Sequence, residues 1–348
     1  MGVGMRRAVV ATAVWGTAAL ALAGCSSSSG GGAAGAQDTL TLYNGQHPQT
    51  TQVLVDAFQK ATGIHVKIKN GDNQQLANEV IAEGSSSPAD VLYTEDSPVL
   101  SVVQSKGLFA KVDSSTLAHV PRADSSAKGD WVGVTGRAVV LAYNPKLISG
   151  SRLPRSIMDL SKPAYQGKIG IEQTSGSFEE EVTAIRLMKG DAATKKWLAG
   201  LKRNAKIYNS HDAILQAVDN GKLPLGLINN YYWFRTRQST KSDSLPSKLL
   251  YLGHQDPGAL VSISGAGVLK SAPHPAAAQK FLAYITSPAG QKVLAKSQSF
   301  EYTLNPKVKR NPELKPYSQI DPPALSRAKL GAGQSKTVSM LQKAGFAL

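Results

Sequence analysis

The stretch Thr39–Glu83, TLTLYNGQHPQTTQVLVDAFQKATGIHVKIKNGDNQQLANEVIAE, indicates the fold class. Polar and apolar residues alternate over 39–43, which predicts a strand, and apolar residues recur at helical spacing over 50–61, which predicts a helix. A second strand is predicted over 64–68 and a second helix over 73–83. This order of strand, helix, strand and helix is typical of an α/β protein.

The same alternation continues along the rest of the chain. A short buried strand is predicted over 89–93, and a second α/β series begins near Gly167. Two long apolar runs, 132–143 and 261–268, predict strands that pass between two halves of the molecule. Helices are predicted over 98–105, 178–188, 191–201, 212–219, 274–286, 289–297 and 335–344, and further strands over 168–171 and 225–228. We therefore expect an α/β fold in two parts.

Composition excludes several classes of protein. The chain has 348 residues, of which 42% are hydrophobic and 18% charged, so a disordered chain is excluded and two domains are expected. A single cysteine excludes an intramolecular disulfide. The net charge of +15 points to nucleic acid, an anionic membrane or an anionic ligand. Because basic and aromatic residues do not interleave, we expect no nucleic-acid binding.

The N-terminus has the layout of a secretory signal. Arg6 and Arg7 precede an apolar stretch over 8–22, which is too short for an ordinary membrane-spanning helix. The sequence Leu22–Cys25, LAGC, resembles the bacterial lipobox, which implies cleavage before Cys25 and acylation of its thiol. The alternative is a free cysteine that follows a signal peptide.

The segment after this cysteine predicts a tether. Residues 26–35, SSSSGGGAAG, bury no apolar surface and favour a flexible linker. We therefore predict a signal peptide over 1–24, a lipid-anchored linker over 25–37, and a globular part from 38. The expected location is the outer face of the bacterial cytoplasmic membrane, with the protein held there through its lipid.

Motifs of nucleotide binding and catalysis are absent from the sequence. There is no phosphate loop, no Gly-x-Gly-x-x-Gly after a strand, no His-Glu-x-x-His and no Gly-x-Ser-x-Gly. We therefore expect no enzyme, and an exported hydrolase is the weaker alternative. Five of the six histidines are expected to be surface or packing residues: His65, His119, His211, His254 and His274.

Oxygen-rich side chains follow three of the predicted strands. They lie in the segments 43–47, 93–96 and 229–233. In α/β folds the carboxyl ends of the strands face the ligand crevice, so these three segments can converge there. Asp96, next to Glu95, is expected to be a solvated or capping residue.

The pair Tyr231 and Tyr232 suggests a hard metal. Both phenols reach one point only if the backbone turns after the strand, and the two asparagines before them favour a turn. A phenol is a ligand when a highly charged cation holds it as phenolate, and Fe(III) suits two phenolates with the Glu95 carboxylate and the His47 imidazole. Considered by spacing alone, the pair is more typical of ordinary amphipathic packing of aromatic residues.

Seven short motifs, in order along the globular part, resemble the bacterial ferric-ion-binding proteins. They are 42–47 (LYNGQH), 89–95 (ADVLYTE), 134–137 (VTGR), 174–177 (TSGS), 227–233 (LINNYYW), 263–268 (ISGAGV) and 301–306 (EYTLNP). That family consists of transferrin-like receptors of iron(III) ABC transporters, and the resemblance implies a two-lobed periplasmic-binding-protein fold.

The resemblance also implies the ligands and the domains. Fe3+ would bind to His47 and Glu95 of the first lobe and to Tyr231 and Tyr232 of the second. The first lobe would comprise 38–137 and 262–311, and the second 138–261 and 312–348, with a hinge at the crossing strands near 137–143 and 259–264. The partners would be ferric iron or a ferric chelate and an ABC permease, and the protein would be a monomer.

An exogenous anion, phosphate or carbonate, is implied as well. It would bind to Ser175, Gly176, Ser177, Asn209 and Asn229. Ser177 and Glu180 also form the pattern of a capping box at a helix start, where free N–H groups favour a small anion. Arg137 would lie near the anion or a ligand carboxylate. The alternative for the helix start is a bare cap without an anion, and the alternative for Arg137 is a surface salt bridge.

Another solute is the main rival within this fold. A receptor of the same architecture could bind a phosphonate, thiamine or a polyamine. A polyamine would need an acidic cleft, which the basic balance of the chain disfavours.

Overall fold

The computed structural model describes residues 39–241 and 244–347. The predicted signal peptide, Cys25 and the predicted tether lie outside these residues. Within the described part, the strands are β1 Thr39–Gly45, β2 His65–Asn70, β3 Val91–Thr94, β4 Val132–Tyr143, β5 Ile169–Ile171, β6 Ala205–Ile207, β7 Leu225–Asn229, β8 Lys248–Leu250, β9 Val261–Val268 and β10 Tyr302–Thr303.

Helices cover both series of strands. In the same residues they are α1 Pro48–Thr62, α2 Asn73–Glu83, α3 Ser97–Ser105, α4 Ser114–Leu117, α5 Gly176–Lys189, α6 Asp191–Asn204, α7 His211–Asp219, α8 Asn230–Ser239, α9 Pro275–Thr286, α10 Pro288–Lys296, α11 Tyr317–Ile320 and α12 Arg327–Lys343. None of the helices in this part of the chain has the length and apolar character needed to cross a membrane.

The strands form a continuous mixed sheet in the order β2-β1-β3-β9-β4-β7-β5-β6, with β8 and β10 pairing with β4. The β1–β2, β1–β3, β5–β6 and β5–β7 pairs are parallel, which is typical of strands joined through helices. The pairs that involve β4 or β9 are antiparallel. This arrangement confirms the predicted mixed α/β class.

Strand β4 joins the two parallel series. Residues 132–138 of β4 pair with β9, whereas residues 139–143 pair with β7. The chain returns beside it, because the Val139 N–H donates to the Leu260 carbonyl at 2.9 Å just before β9 begins. Both predicted crossing strands therefore lie side by side where one series of strands gives way to the other.

Burial explains why these two strands read as apolar runs. Every residue of β9, and all of β4 except its last residue Tyr143, are buried. Strands covered on both faces show continuous apolar sequence rather than alternation. The hydrophobic core accordingly divides into clusters on either side of β4, one around Phe58 and Phe281 and another around Trp197 and Ile185.

Two local predictions were wrong. The last helix begins at Arg327 rather than Ser335, because the Ser326 hydroxyl caps it by accepting from the Lys329 N–H. The predicted capping box of Ser177 and Glu180 does not form, because helix α5 begins two residues earlier than predicted and its cap is Ser175.

Candidate metal centre

His47 lies between the end of β1 and the start of α1. Its Nδ1 is 2.7 Å from the Gln46 Oε1, which also accepts from the His47 backbone N–H at 2.8 Å. Since a carbonyl oxygen can only accept, Nδ1 carries the proton and Nε2 keeps its lone pair. Burial, with the charges of Arg235 and Arg137, lowers the His47 pKa to about 3. The ring is therefore neutral and offers Nε2 as a ligand.

Glu95 follows β3 and lies close to His47, which follows the neighbouring strand β1. Its Oε1 lies 3.8 Å from His47 Nε2 and 3.4 Å from the Tyr231 hydroxyl. The Asn73 side-chain oxygen accepts from the Glu95 backbone N–H at 2.8 Å, which fixes the turn after the strand. The Arg137 guanidinium pairs with the same carboxylate. The Glu95 carboxylate thus lies at the junction of His47, Tyr231 and Arg137.

The two tyrosines lie in the first turn of α8, directly after β7. The Tyr231 hydroxyl is 2.9 Å from His47 Nε2, and the rings of Tyr231 and Tyr232 lie 4.2 Å apart between centroids. The Asn230 amide fixes this turn by accepting from the Ala138 N–H at 2.8 Å and donating to the Phe300 carbonyl at 3.1 Å. The backbone turn that the two phenols require is present as a helix start.

Burial and the nearby Glu95 carboxylate keep both phenols protonated. Desolvation is the main cause that raises the pKa of Tyr231 and of Tyr232 above the usual value, and the Glu95 charge adds to it. The Arg235 guanidinium stacks 4.7 Å from the Tyr231 ring centroid. Deprotonation of either phenol therefore requires a more highly charged cation than the neighbouring side chains.

Arg137 holds two carboxylates at once. It is one of the largest fully buried side chains, and its two terminal nitrogens pair with Glu95 and Asp96. Arg137 thus lies beside the carboxylate of Glu95, one of the predicted ligands. Asp96 is not solvated as expected: it is buried, and although it stands at the start of α3, its side chain makes no capping hydrogen bond.

Four of the predicted anion-binding residues lie together at the start of α5. The Ser177 hydroxyl donates to the Asn229 Oδ1 at 3.0 Å and lies 2.7 Å from the Ser175 hydroxyl, with Gly176 between the two serines. The Asn229 Nδ2 is buried without a hydrogen-bond partner. Asn209 does not join this group, because it is exposed between β6 and α7.

His211, expected to be a surface or packing residue, lies beside the site. Its ring packs edge-on against Tyr232 with centroids 4.9 Å apart, and its Nε2 is 3.6 Å from the Glu172 carboxylate. Glu172 follows β5, and His211 opens α7 after β6. Glu172 directly follows the predicted strand over 168–171, so the rule of strand ends could have identified it. No strand was predicted before His211, so the same rule gave no signal for that residue.

Acidic and histidine side chains alone do not form the candidate metal centre. Within residues 39–241 and 244–347, no group of three or more His, Cys, Asp or Glu side chains is placed to hold a metal ion. The candidate centre contains His47 and Glu95 of these types. The two tyrosines are needed to complete it, which restricts the metal to one that binds phenolate.

Comparison with known proteins assigns the chain to a family. A model of the family described as bacterial extracellular solute-binding proteins matches residues 86–321. The chain belongs to the bacterial extracellular solute-binding protein family. The family match places the molecule among extracytoplasmic binding proteins of the kind that serve ABC transporters.

Relatives of this solute-binding protein have names that refer to iron. The chain is 38% identical to the Fe(3+)-binding periplasmic protein of Serratia marcescens, over 91% of this chain and 93% of that protein. It is 39% identical to the major ferric iron-binding protein of Neisseria meningitidis serogroup B, over 88% and 93%.

A solved structure agrees with the fold of this solute-binding protein. Iron-bound HitA from Pseudomonas aeruginosa superimposes with a TM-score of 0.85 and 47% identity, over 89% of this chain and all of that one. The predicted resemblance and the two-lobed fold are confirmed, and these relatives are iron-binding transport proteins rather than enzymes.

Proposed function

We propose that this chain captures Fe3+ in a cleft between two lobes and delivers it to an ABC permease. The observation that carries the proposal is the meeting of four side chains from three distant segments. His47 Nε2 and the Glu95 carboxylate lie 2.9 and 3.4 Å from the Tyr231 hydroxyl, and the Tyr232 ring lies beside that of Tyr231. The iron-related names of the relatives support the same ligand.

The chemistry of these groups suits a trivalent hard cation. Two phenolates and the Glu95 carboxylate supply three negative charges, which balance Fe3+, and His47 adds a neutral nitrogen. Since both phenols are protonated before iron arrives, binding releases two protons, and acid favours release of the metal. Softer cations would favour thiolate ligands, which these four residues do not include.

Closure of the two lobes would make the affinity for iron depend on conformation. We propose the boundaries predicted from the sequence, with 38–137 and 262–311 in the first lobe and 138–261 and 312–348 in the second. The side-by-side course of β4 and β9 supports a hinge there. Iron would contact ligands of both lobes only in the closed state, so it would shift the population toward that state.

The anion and the cellular context stay predictions. The donor groups of Ser175, Ser177 and Asn229 support an anion position at the start of α5, where phosphate or carbonate is expected. Cys25 would carry the lipid that holds the receptor at the outer face of the cytoplasmic membrane. The monomeric receptor would then present iron to its permease.

A titration with ferric citrate tests the function. Phenolate bound to Fe3+ gives a visible charge-transfer band, so we expect the wild-type protein to become coloured at one iron per chain. The double variant Tyr231→Phe, Tyr232→Phe should stay colourless. Iron should also raise the melting temperature of the wild-type protein, because it binds the folded state.

A control variant tests whether the loss of a phenol outside the site affects the band. Tyr143 lies at the far end of β4, opposite Leu225, whereas the site lies near Asn229 at the other end of β7. Tyr143→Phe should therefore keep the full band. A wild-type protein that stays colourless and gains no stability with ferric citrate would refute the proposal. A rise in melting temperature with a phosphonate, thiamine or a polyamine would instead identify that solute as the ligand.

A further inference from the structure

Asp96 lies where the anion is expected. We infer that the carboxylate of Asp96 is the chain's own occupant of the anion position at the start of α5, so that the iron site closes without phosphate or carbonate. This inference rests on the proposed function, because it identifies what fills a position beside the proposed iron ligands. It departs from the prediction of an exogenous anion.

The contact is made possible by a glycine. A Cβ placed on Gly176 would lie 3.2 Å from the Asp96 Cγ and still closer to its Oδ2. Any other residue at this position would push the carboxylate away. Asp96 follows β3 and belongs to the proposed first lobe, whereas Gly176 opens α5 in the proposed second lobe. The carboxylate therefore reaches the helix only when the two lobes meet.

The start of α5 has backbone N–H groups that precede the first hydrogen bonds of the helix. The first hydrogen bonds of the helix are made by the N–H groups of Phe178 and Glu179 to the Ser175 carbonyl, which leaves the amides of Gly176 and Ser177 before them. These amides and the helix dipole favour a negative charge beside Gly176. The Asp96 carboxylate supplies that charge from within the chain.

Other contacts hold the Asp96 carboxylate in place. Its Oδ1 pairs with the Arg137 guanidinium, and its Oδ2 accepts from the Asn73 side-chain amide at 3.4 Å. Only 5% of the residue is exposed. Arg137 thus connects two carboxylates, because its other terminal nitrogen pairs with Glu95. One buried guanidinium fixes both a proposed iron ligand and the internal anion.

Charge balance argues against a second anion. Two phenolates and Glu95 neutralise Fe3+, and Arg137 neutralises Asp96. A phosphate dianion at the same helix start would add two negative charges next to Asp96, and a further acid, Glu179, lies in the first turn of α5. Like charges at short range in a buried setting disfavour binding. The internal carboxylate avoids this repulsion.

The first measurement concerns the wild-type protein. Iron is delivered from nitrilotriacetate, the chelator is removed by gel filtration, and the buffer is sparged with argon to remove carbonate. We expect the charge-transfer band to form fully, phosphorus to be absent by elemental analysis, and added inorganic phosphate to change the iron affinity by less than about threefold. A rise of tenfold or more, or one phosphorus per iron, would overturn the inference.

Variants provide the second measurement. Without phosphate, Asp96→Ala should lower the iron affinity by about tenfold or more, and inorganic phosphate should restore it by filling the vacated position. Asp96→Asn should lose affinity in the same way, because it keeps the shape of the side chain but not its charge. Equal affinity of Asp96→Ala and wild-type protein without phosphate would overturn the inference.

A neighbouring acid provides the matched control. Asp72 is exposed and caps α2, and its charge raises the pKa of Asp96, so it is close enough for comparison. Asp72→Asn keeps a good helix cap and should leave the affinity within about threefold. If the wild-type protein gives no band with any anion, the proposed function fails; a band that needs phosphate contradicts only the inference about Asp96.

Discussion

At the scale of single residues, Arg137 is the side chain on which the site depends most. It is almost fully buried and pairs with Glu95 and Asp96, and β4 carries it at the junction of the two series of strands. A buried charge that loses its partner is costly, since the partner's charge stays desolvated. Arg137 therefore stabilises the fold as well as the site.

Arg137→Met tests this dependence. We expect the free energy of unfolding to fall by roughly 3 kcal/mol, at the low end for a broken buried pair because Glu95 is partly exposed. Urea denaturation followed by circular dichroism measures the change. Arg155→Met, at an exposed position, should change the stability by less than about 0.5 kcal/mol. Equal effects of the two variants would show that the buried pairs contribute nothing specific.

Glu180 makes stability depend on pH. Burial raises its pKa from 4.5 to about 7, although Arg327 opposes the shift. Between these two values the folded protein holds a proton that the unfolded chain has released. The stabilisation that the neutral acid provides is therefore complete below pH 4.5 and is lost as the pH rises through 7.

Glu180→Gln removes this proton linkage. Relative to the wild-type protein, the variant should gain stability between pH 5 and pH 8, by up to about 1.4 kcal/mol per pH unit within the window. Urea denaturation at both pH values measures the difference. Glu313→Gln, at an exposed carboxylate, should show no such gain. A pH-independent difference between Glu180→Gln and wild-type protein would contradict the assigned shift.

Residue types and strand ends suggested a hard-metal site, and the resemblance to the ferric-ion-binding proteins implied its four ligands, whose side chains the structure places close together. The sequence does not reveal Asp96 as a buried residue, because its pairing with Arg137 joins segments 41 residues apart. Asn209 was implied by the resemblance to the ferric-ion-binding proteins, but it is exposed. Proximity along the chain cannot distinguish a side chain that enters the cleft from one that faces solvent.

At the scale of elements, the start of α5 is a contact surface between the proposed lobes. Gly176 allows Asp96 to approach it. The φ angle of Gly176 is that of an ordinary helix start, so alanine is tolerated by the backbone and has the better helix propensity. A substitution there should therefore affect closure rather than folding.

Gly176→Ala is best tested in a double-mutant cycle with Asp96→Ala. In the wild-type background the added methyl group should lower iron affinity by about tenfold, with little change in melting temperature. In the Asp96→Ala background the methyl group meets no carboxylate, so its effect should shrink to less than about threefold. Additive losses in the two backgrounds would contradict a direct contact. Iron titration of the four proteins, with melting curves, completes the cycle.

Helix α12 shows where the apolar periodicity of the sequence fails to predict the start of a helix. The apolar pattern predicted only its second half, but the helix starts eight residues earlier, where Gly331 packs against Ser101 of α3 and Gly333 against Thr183 of α5. Glycine lowers helix propensity, so sequence alone argues against a helix there. Tight packing against two helices outweighs that cost. Strands β1 to β5, β7 and β9 were predictable because burial imposed their spacing, whereas the short strands β6, β8 and β10 and helix α8 were not predicted.

At the scale of the whole molecule, the positive charge remains to be explained. The net charge is +15, and it falls by two to +13 if the predicted signal is removed with Arg6 and Arg7, since residues 1–24 contain no acid. A field of this sign attracts anions over a distance set by the ionic strength. Ferric citrate complexes are anionic, so the charge would accelerate their encounter with the cleft.

Capture rates test this account. The growth of the charge-transfer band after mixing with ferric citrate should slow roughly tenfold between about 20 mM and 500 mM salt, because screening removes the attraction. Ferric nitrilotriacetate is the matched control: its three carboxylates balance the metal charge, so its capture rate should change little over the same range. Stopped-flow absorbance measures both. If the two chelates show the same salt dependence, charge steering does not govern capture, and the excess of basic residues serves another surface of the molecule.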